Sequence, residues 1–428
     1  MTACGARTVT PQDKSFPAAL IGRAVEDLQA PLAEFSTPLL ALQDSAITHN
    51  LQVMARWAAE RGLELMPHGK TTMAPALWHR QLAAGATGIT VATPWQAEIA
   101  LRAGVPTVQI ANMALDPGGL RRLASHLAVH PEQELVCWAD SLAAVDLMDA
   151  ALAEAAPNGL PPAEGAPADG SPAAASIGVL AELGAAGGRT GARDEAEALA
   201  IAERVMRSPH LTLRGVAGYE GALGHDRSPA ALAAVEDYCA RLASLGQQVT
   251  PLVEGDAWIT AGGSAYPDLV AAAIAGIPGT RGILRSGAYL VHDHGFYRGI
   301  SPLDRDRGLA EAEALLPAMR GYARVLSRPE PGLALLDAGK RDLPFDEGLP
   351  VPLAVTTAPG GVERPLQAEV TALNDQHTFL RWEGEAPVAV GDVVVLGLSH
   401  PCTAFDKWRL VPVVDDGGTV IEAVETLF

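Results

Sequence analysis

The chain has 428 residues, of which 48% are hydrophobic, so it is long enough to bury a large core and is expected to form two domains. Its 50 acidic residues outnumber its 31 basic residues and give a formal net charge of −19 at pH 7. Because such a surface offers no basic stripe to a phosphate backbone or to anionic lipids, we expect no nucleic-acid partner and no membrane partner.

The cysteines and the absence of long apolar segments indicate where the protein works. Residues 1–7 contain no long apolar stretch of the kind found in a secretion signal, and no later stretch reaches membrane-spanning length without interruption. The cysteines are scattered along the chain and fit no disulfide framework. We therefore expect a cytoplasmic protein.

Strand and helix patterns alternate along the first two thirds of the chain. Residues 37–42 predict a strand, and Asp44 and Ser45 predict the cap of a helix whose apolar period covers residues 47–61. The strand candidates that follow are residues 63–67, 88–92, 107–111, 134–139, 176–183, 213–219, 249–254 and 282–285. The helix candidates between them are residues 74–84, 94–103, 119–129, 142–155, 195–206 and 230–245.

Eight strands that alternate with helices predict an α/β fold of the (β/α)8 TIM-barrel type. A doubly wound open sheet would give a similar alternation, but the count of eight and the span of roughly 230 residues favour the barrel. Residues 157–172 interrupt the alternation, and their Pro, Gly and Ala content predicts an exposed insertion without chemistry.

After residue 285 the pattern changes to short, often β-branched runs separated by Gly, Pro and Asp, which predict an all-β region. We expect a barrel domain at residues 44–290, and a mainly β domain made of residues 1–43 and 291–428. The strand at residues 37–42 precedes the barrel and is a candidate for this second sheet. The strand candidates of the C-terminal region are residues 322–326, 333–337, 353–356, 367–373, 378–382, 393–398 and 407–414.

A lysine lies where the first barrel strand is expected to end. The apolar run at residues 63–66 stops at Pro67, Gly69 follows, and Lys70 comes next. An amine at the rim of an apolar barrel is desolvated, which disfavours the ammonium form and frees a lone pair for attack on a carbonyl. Lys70 is therefore our candidate Schiff-base lysine, with a surface lysine near a helix start as the alternative.

Glycine-rich turns follow three later strand candidates. Gly262, Gly263 and Ser264 precede a helical run, and the loops after strands 7 and 8 are the usual phosphate site of a barrel, although a plain turn is the alternative. Arg189 and Tyr219 lie in the turns after the fifth and sixth strand candidates. An arginine there can bind an anion and a tyrosine can stack on a ligand, but an exposed arginine and a core tyrosine are equally compatible with the spacing.

His400 and Cys402 are separated by one proline and follow the apolar run at residues 393–396. A histidine and a cysteine at this spacing can reach one divalent metal. Two ligands are too few for a closed zinc site and would suit an open one, whose other positions go to water or substrate. On spacing alone, a chance pair in a β loop is the more probable interpretation.

Together these residues resemble the D-serine dehydratase and D-threonine aldolase group of pyridoxal 5′-phosphate (PLP) enzymes, which have an alanine-racemase-like, fold type III barrel. The segments Pro-His-Gly-Lys-Thr and His-Pro-Cys are specific, whereas the glycine motifs are generic. The matching stretches run in family order and are residues 67–71, 188–191, 218–221, 262–264, 284–289 and 400–402. Residues 183–186 depart from the family because they lack the acidic residue expected before the Gly-rich turn.

The resemblance implies a role for each of these residues. Lys70 is implied to form the Schiff base with PLP, with Arg189 and Tyr219 at the cofactor ring. The residues implied to surround the phosphate are Gly262, Gly263, Ser264, Gly287 and Tyr289. His400 and Cys402 are implied to hold Zn²⁺ or another divalent metal, and the thiolate shifts preference towards zinc. The family pattern also implies a homodimer in which the β-domain of one subunit closes the barrel mouth of the other.

The implied reaction is β-elimination on a D-β-hydroxy amino acid such as D-serine, giving a 2-oxo acid and ammonia. The Lys70 amine would remove the Cα proton, and the metal would make the β-hydroxyl a better leaving group.

Retro-aldol cleavage to glycine and an aldehyde shares every motif and is the alternative. A non-catalytic PLP-binding protein and a barrel without PLP are further alternatives. A racemase is disfavoured because it needs a second base, and no tyrosine of the C-terminal domain can be recognised as that base from the sequence.

Overall fold

A computed structural model of the protein describes residues 7–154 and 176–428, so the predicted insertion at residues 157–172 lies outside the described residues. The described chain forms two compact units. The barrel unit comprises residues 54–70, 78–154 and 176–287, and the β unit comprises residues 7–53, 71–77 and 288–428. Within these ranges no helix combines the length and apolarity that crossing a membrane requires.

The strands and helices are numbered in chain order. Strands β1–β19 are Ala30–Pro31, Leu39–Gln43, Glu64–Leu65, Ile89–Val91, Thr107–Met113, Glu134–Ala139, Ile177–Leu183, Leu211–Gly218, Ala257–Ala261, Thr280–Leu284, Met319–Glu330, Leu333–Leu336, Val351–Thr356, Arg364–Pro365, Glu369–Leu373, Thr378–Arg381, Val393–Gly397, Leu410–Val414 and Thr419–Glu425. Helices α1–α9 are Asp44–Ala59, Pro75–Ala83, Pro94–Arg102, Pro117–Val129, Leu142–Ala153, Glu195–Met206, Pro229–Val249, Pro267–Ile274 and Phe296–Ile300.

The barrel unit contains eight parallel strands, β3 to β10, in which β4 to β10 each pair with the neighbouring strand in chain order and β10 also pairs with β3. The ring closes between β3 and β4, where the Thr87 N–H donates to the Leu65 carbonyl at 2.8 Å and the Thr90 N–H donates to the Pro67 carbonyl at 2.9 Å. A parallel bridge between His68 and Thr90 continues this pairing. Helices follow the strands in alternation, so the predicted (β/α)8 barrel is confirmed.

The predicted seventh strand at residues 249–254 is wrong. Helix α7 continues to Val249, and a 3₁₀ turn, Thr250–Leu252, follows it. The helix persists because Leu242, Leu245 and Val249 keep its apolar period and are fully buried. The seventh strand is β9, Ala257–Ala261, whose two alanines and threonine lack the β-branched apolar run that identifies a strand in a sequence. Gly262 follows this strand directly.

The interior of the barrel is mainly apolar in its middle layer, where the buried Gln109 is a polar exception. Successive strand residues point to opposite faces, so alternate residues of each strand face inward. The buried cluster formed by these inward residues comprises Met66, Val136, Trp138, Leu180, Ala217, Trp258 and Ile283. These positions define the inward face of each strand, and residues two positions further along the same strand lie one layer closer to the carboxyl-end rim.

The β unit is built on an 11-stranded sheet. Strand β2 pairs with β11 in antiparallel and with β18 in parallel orientation, so the strand predicted at residues 37–42 does belong to this sheet. Three strands have no counterpart among the sequence-based candidates, namely β1, β14 and β19. The buried core of this unit includes Phe35, Leu39, Tyr322, Val395 and Val420. The second predicted fold element, a mainly β domain after the barrel, is confirmed.

An ion pair at the amino-terminal end of the barrel stabilises the pairing of β3 with β10. The Arg281 guanidinium donates from Nε and Nη2 to the two carboxylate oxygens of Glu64 at 2.8 and 2.6 Å. This bidentate contact lowers the pKa of Glu64 below its usual value despite partial burial. Because the pair is about one third exposed, its contribution to stability is expected to be small.

We expect Glu64→Gln to lower the free energy of unfolding at pH 7 by about 1 kcal/mol. A carboxyl group whose pKa is lowered on folding stabilises the protein above its unfolded-state pKa of about 4.3, and this contribution is lost as the pH falls through the folded-state pKa. The difference between wild type and variant in denaturant unfolding should therefore shrink towards zero below about pH 4. Glu203→Gln, which removes an exposed pair with Arg207, should have little effect at any pH. A Glu64→Gln difference that is independent of pH would contradict this assignment.

Candidate active site

The loop that carries Lys70 follows β3 and is tightly packed within the barrel unit. A 3₁₀ turn spans Gly69–Thr71. The Trp78 Nε1–H donates to the Gly69 carbonyl at 3.1 Å. A Cβ on Gly69 would lie only 2.6 Å from Ile89 Cγ2 and from Trp78 Nε1, so only glycine fits at this position. Packing on Gly69 therefore fixes the backbone immediately before Lys70 at the carboxyl-end rim, as predicted.

His68 is partly buried at the same rim and lies among cationic groups. Its pKa is held well below the usual value, first by burial and then by the charges of Lys70, Arg285 and Arg189. The His68 Nδ1 atom has no hydrogen-bond partner among the described residues. A neutral imidazole with an unpaired nitrogen thus faces a strongly positive environment, which favours a bound anion.

Arg285 is the buried cation of the barrel and comes directly after β10. Its side chain is fully buried and donates from Nη1 to Thr260 Oγ1 at 2.8 Å and from Nη2 to the Gly218 carbonyl at 2.6 Å. The guanidinium also lies 4.7 Å from the centre of the Trp138 ring. Burial lowers the pKa of Arg285 to about 10, so the group stays charged at neutral pH. It ties the carboxyl ends of β8, β9 and β10 together.

Four buried polar atoms, each in or just after a different strand, lie towards the carboxyl-end rim of the barrel. They have no hydrogen-bond partner within residues 7–154 and 176–428, and they are His68 Nδ1, Trp138 Nε1, Glu182 Oε2 and Arg285 Nε. Trp138 belongs to the inward cluster, and the other three come two residues after its members Met66, Leu180 and Ile283. Because buried polar groups are normally paired, a ring of unpaired ones indicates a polar ligand above it.

Arg189 and Tyr219, the predicted ring-contact residues, lie against each other. The Arg189 guanidinium carbon is 4.1 Å from the centre of the Tyr219 ring. A Cβ on Gly263 would lie 3.2 Å from Tyr219 Cε2, so the same ring also packs against the glycine turn after β9. The structure thus groups Arg189, Tyr219 and Gly263 at the rim. The cofactor roles of these residues stay a prediction.

The backbone N–H groups of Gly262 and Gly263 are already paired. Both donate to the buried carboxylate of Glu220, to Oε2 at 3.0 Å and to Oε1 at 2.6 Å. Burial raises the pKa of Glu220, while these N–H groups and Arg285 favour its charged form. Successive N–H groups of this kind form an anion site, and here a side chain of the protein fills it. A phosphate at this turn would therefore have to use other donors of the loop.

Further phosphate candidates follow β10. Ser286 Oγ donates to the Gly263 carbonyl at 2.9 Å, which joins the turns after β9 and β10. A Cβ on Gly287 would lie 2.6 Å from the His68 carbonyl oxygen, so this glycine allows close approach of the Lys70 loop. Ser264 lies at the rim of the barrel unit. Tyr289 is buried in a 3₁₀ turn, Ala288–Leu290, which belongs to the β unit.

Glu182 is a titratable group of the barrel mouth for which the sequence suggested no role. Burial raises its pKa to about 7, and Thr190 Oγ1 donates to its Oε1 at 3.0 Å. It lies one residue before the segment 183–186, in which the sequence lacks an expected acidic residue. A carboxyl group with this pKa can exchange a proton near neutral pH.

His400 and Cys402 are brought together in the β unit, on the loop after β17. Burial would lower the pKa of His400, but its contacts with the Cys402 thiol and with Asp346 raise that pKa to about 9. Cys402 Sγ also lies 3.7 Å from the hydroxyl of Thr71, which follows Lys70 in the chain. Within the described residues no three His, Cys, Asp or Glu side chains form a closed metal site. The pair is therefore suited only to an open site.

Besides Glu182, sequence reasoning missed three residues at these positions. Arg285 and Glu220 lie inside motifs that were recognised, and an inward-facing charged residue directly after a strand was the available signal for Arg285. Asp346 is 54 positions from its partner His400 and gave no signal in the sequence.

Two family models match the chain. The model described as "Alanine racemase, N-terminal domain" matches residues 42–255, and the one described as "Putative serine dehydratase domain" matches residues 318–414. The first match covers half of the chain and includes the Lys70 loop and the Arg189 and Tyr219 turns.

Named relatives match most of the chain. A D-threonine aldolase from Arthrobacter sp is 29% identical over 392 residues, which are 90% of this chain and 91% of that protein. A 3-hydroxy-D-aspartate aldolase from Paracoccus denitrificans (strain Pd 1222) is 26% identical over 325 residues, 74% of this chain and 76% of the relative.

Solved structures have the same fold. The crystal structure of D-threonine aldolase from Filomicrobium marinum superposes with a TM-score of 0.74 at 25% identity, covering 94% of this chain and 98% of the other. D-threo-3-hydroxyaspartate dehydratase from Delftia sp. HT23 gives 0.72 at 22% identity, covering 93% and 99%. The chain belongs to the D-serine dehydratase and D-threonine aldolase-like family of PLP enzymes, which have an alanine-racemase-like barrel.

Proposed function

We propose that this protein is a PLP-dependent lyase that acts on a D-β-hydroxy amino acid with the help of a divalent metal. The observation that carries the proposal is the set of unpaired, inward-facing polar atoms of His68, Trp138, Glu182 and Arg285 at the level of the Lys70 loop. Such a layer is costly unless a polar ligand covers it. The D-threonine aldolase and the 3-hydroxy-D-aspartate aldolase described above are lyases of this substrate class.

The residues at the barrel mouth fit PLP. Lys70, Arg189 and Arg285 all act electrostatically on His68, so a ligand with a phosphate and a phenolic oxygen would offset their charge. Lys70 would hold the cofactor covalently, and Arg189 with Tyr219 would contact the ring. Because Glu220 occupies the N–H groups of Gly262 and Gly263, we propose that Ser264 and the turn at Gly287 and Tyr289 donate to the phosphate. Gly262 and Gly263 would shape the loop.

Bound PLP supplies an electron sink for a carbanion at Cα of the substrate. The protein's part is to move protons and to exclude water. The amine of Lys70 is the group that would take the Cα proton, since the packed Gly69 backbone fixes its position. Glu182 is a second group that could exchange a proton, with its pKa near 7.

His400 and Cys402 fit a divalent ion, since imidazole nitrogen and thiolate sulfur are the ligands that zinc prefers. An ion held there would supply a Lewis acid for the β-hydroxyl of the substrate. Within the β unit Cys402 contacts Thr71, the residue that follows Lys70 in the chain.

We propose β-elimination as the first candidate reaction, which would convert D-serine to pyruvate and ammonia. The thiolate at the second ligand position supports this choice, because the aldolases of the resembled family are expected to carry a carboxylate there. Retro-aldol cleavage to glycine and an aldehyde is the second candidate, and the two named aldolases among the relatives favour it. From the sequence analysis we also propose that the protein is cytoplasmic and forms a homodimer.

A panel of D-amino acids should separate the two reactions. We expect the PLP-loaded protein to release pyruvate from D-serine, measured with lactate dehydrogenase, and to leave L-serine unchanged. Glycine and acetaldehyde from D-threonine, without 2-oxo acid from any substrate, would instead establish the aldolase. Absence of turnover on every D-β-hydroxy amino acid would favour a non-catalytic PLP-binding protein.

Removal of the metal should abolish turnover while leaving the cofactor bound. We expect a chelator, or His400→Ala, to lower kcat at least 100-fold with the visible PLP absorbance unchanged, because the leaving group then lacks its Lewis acid. Lys70→Ala should remove both activity and the protein-bound absorbance. The matched control is His377→Ala, which replaces an exposed histidine of the same unit and should keep full activity. Full activity in His400→Ala would exclude the metal from the reaction.

A further inference from the structure

Asp346 lies against the imidazole of His400 and has no role in the function proposed so far. Its Oδ2 atom is 2.8 Å from His400 Nδ1. Its other oxygen, Oδ1, accepts a hydrogen bond from Thr403 Oγ1 at 2.6 Å. Both oxygens of the carboxylate are therefore engaged by the His400–Thr403 loop, one by a residue before Cys402 and one by the residue after it.

The contact with Asp346 determines which nitrogen of His400 is free. A neutral imidazole has one N–H donor and one nitrogen with a lone pair. A carboxylate can only accept, so His400 keeps its proton on Nδ1, and an ion that displaces the Nε2 proton finds the lone pair at Nε2. This is the tautomer that can ligate a metal through Nε2.

Other contacts hold the ring and the loop in place. The rings of Phe296 and Tyr297 lie 5.8 and 5.7 Å from the imidazole, centre to centre, at steep angles. The Phe296 N–H donates to the Ser399 carbonyl at 2.8 Å. Ser399 Oγ donates to the Gly348 carbonyl at 2.7 Å, which ties the His400 loop to the segment that carries Asp346.

We propose that Asp346 is the positioning residue of the metal site, which fixes the tautomer and orientation of His400 so that Nε2 and the Cys402 thiolate face one ion. The proposal rests on the metal of the proposed function. Histidine ligands usually donate their second nitrogen to a carboxylate or carbonyl group, which makes the ligand more basic and fixes its orientation. Asp346 acts through His400 and does not need to touch the metal or the substrate.

The expected consequence is a change in metal affinity at unchanged cofactor content. Loss of an outer carboxylate of this kind costs roughly 10- to 100-fold in metal affinity. Asp346→Asn keeps the shape and can still accept the Nδ1–H, so we expect about 10-fold weaker binding, and about 100-fold for Asp346→Ala. Thr403→Val removes only the bond to the second oxygen and should have a smaller effect.

The test is a competition titration of Zn²⁺ against a chromophoric chelator, carried out on the PLP-loaded full chain. Wild type should bind one ion per chain, and His400→Ala should bind none in the same range. Asp375→Asn is the charge-matched control, since Asp375 is exposed in the same unit, and it should bind as wild type does. Co²⁺ substitution adds a second measurement, because a thiolate-to-cobalt absorption band reports whether Cys402 still ligates.

The proposal predicts weaker Zn²⁺ binding in both Asp346 variants, with the cobalt–thiolate band retained and with kcat of Asp346→Asn restored by excess metal. A purely structural role would lower the amount of folded, PLP-loaded protein without this rescue, and that result would overturn the proposal. Wild-type Zn²⁺ affinity in both Asp346→Asn and Asp346→Ala would also overturn the proposal, although the metal of the proposed function would still stand. No ion bound by wild type would instead refute the metal of the proposed function.

Discussion

The closure of the barrel between β3 and β4 is the constraint on which the rest of the proposed site depends. Strand β3 has only two residues, and the backbone bonds from Thr87 and Thr90 extend its pairing as far as Pro67 and the His68 bridge. Since Gly69 then packs without space for a side chain, the chain has little freedom before Lys70. The position of Lys70 is thus fixed by backbone pairing and by packing on a glycine.

A polar layer covers the apolar interior of this barrel at its carboxyl end. The buried Arg285 crosslinks three strands, and Glu220 compensates part of its charge while it fills the Gly262 and Gly263 turn. Burying charges without a partner costs several kcal/mol, so such a layer is retained where it binds a ligand. In the proposed function, an anionic cofactor would offset the cost of this arrangement.

Local sequence signals predicted the positions that depend on strand order, and they failed where contacts are long-range. Lys70, Arg189 and Tyr219 could be placed at the rim because each lies in the turn that follows an apolar strand. The strand predicted at residues 249–254 was wrong because the helical period of α7 extends to Val249 and a 3₁₀ turn follows it. The true strand, β9, was missed because it is rich in alanine. The pairing of Glu220 with Gly262, and of Asp346 with His400, joins residues more than 40 positions apart, which no spacing rule encodes.

The central claim is that Lys70 binds PLP covalently at the rim of the barrel. The most direct measurement is borohydride reduction of the purified holoprotein, followed by digestion and mass spectrometry. Our account predicts that the visible absorption band disappears and that a phosphopyridoxyl group is recovered on Lys70, with no label in Lys70→Ala. A colourless protein that is unaffected by added PLP, or a label on another lysine, would contradict it.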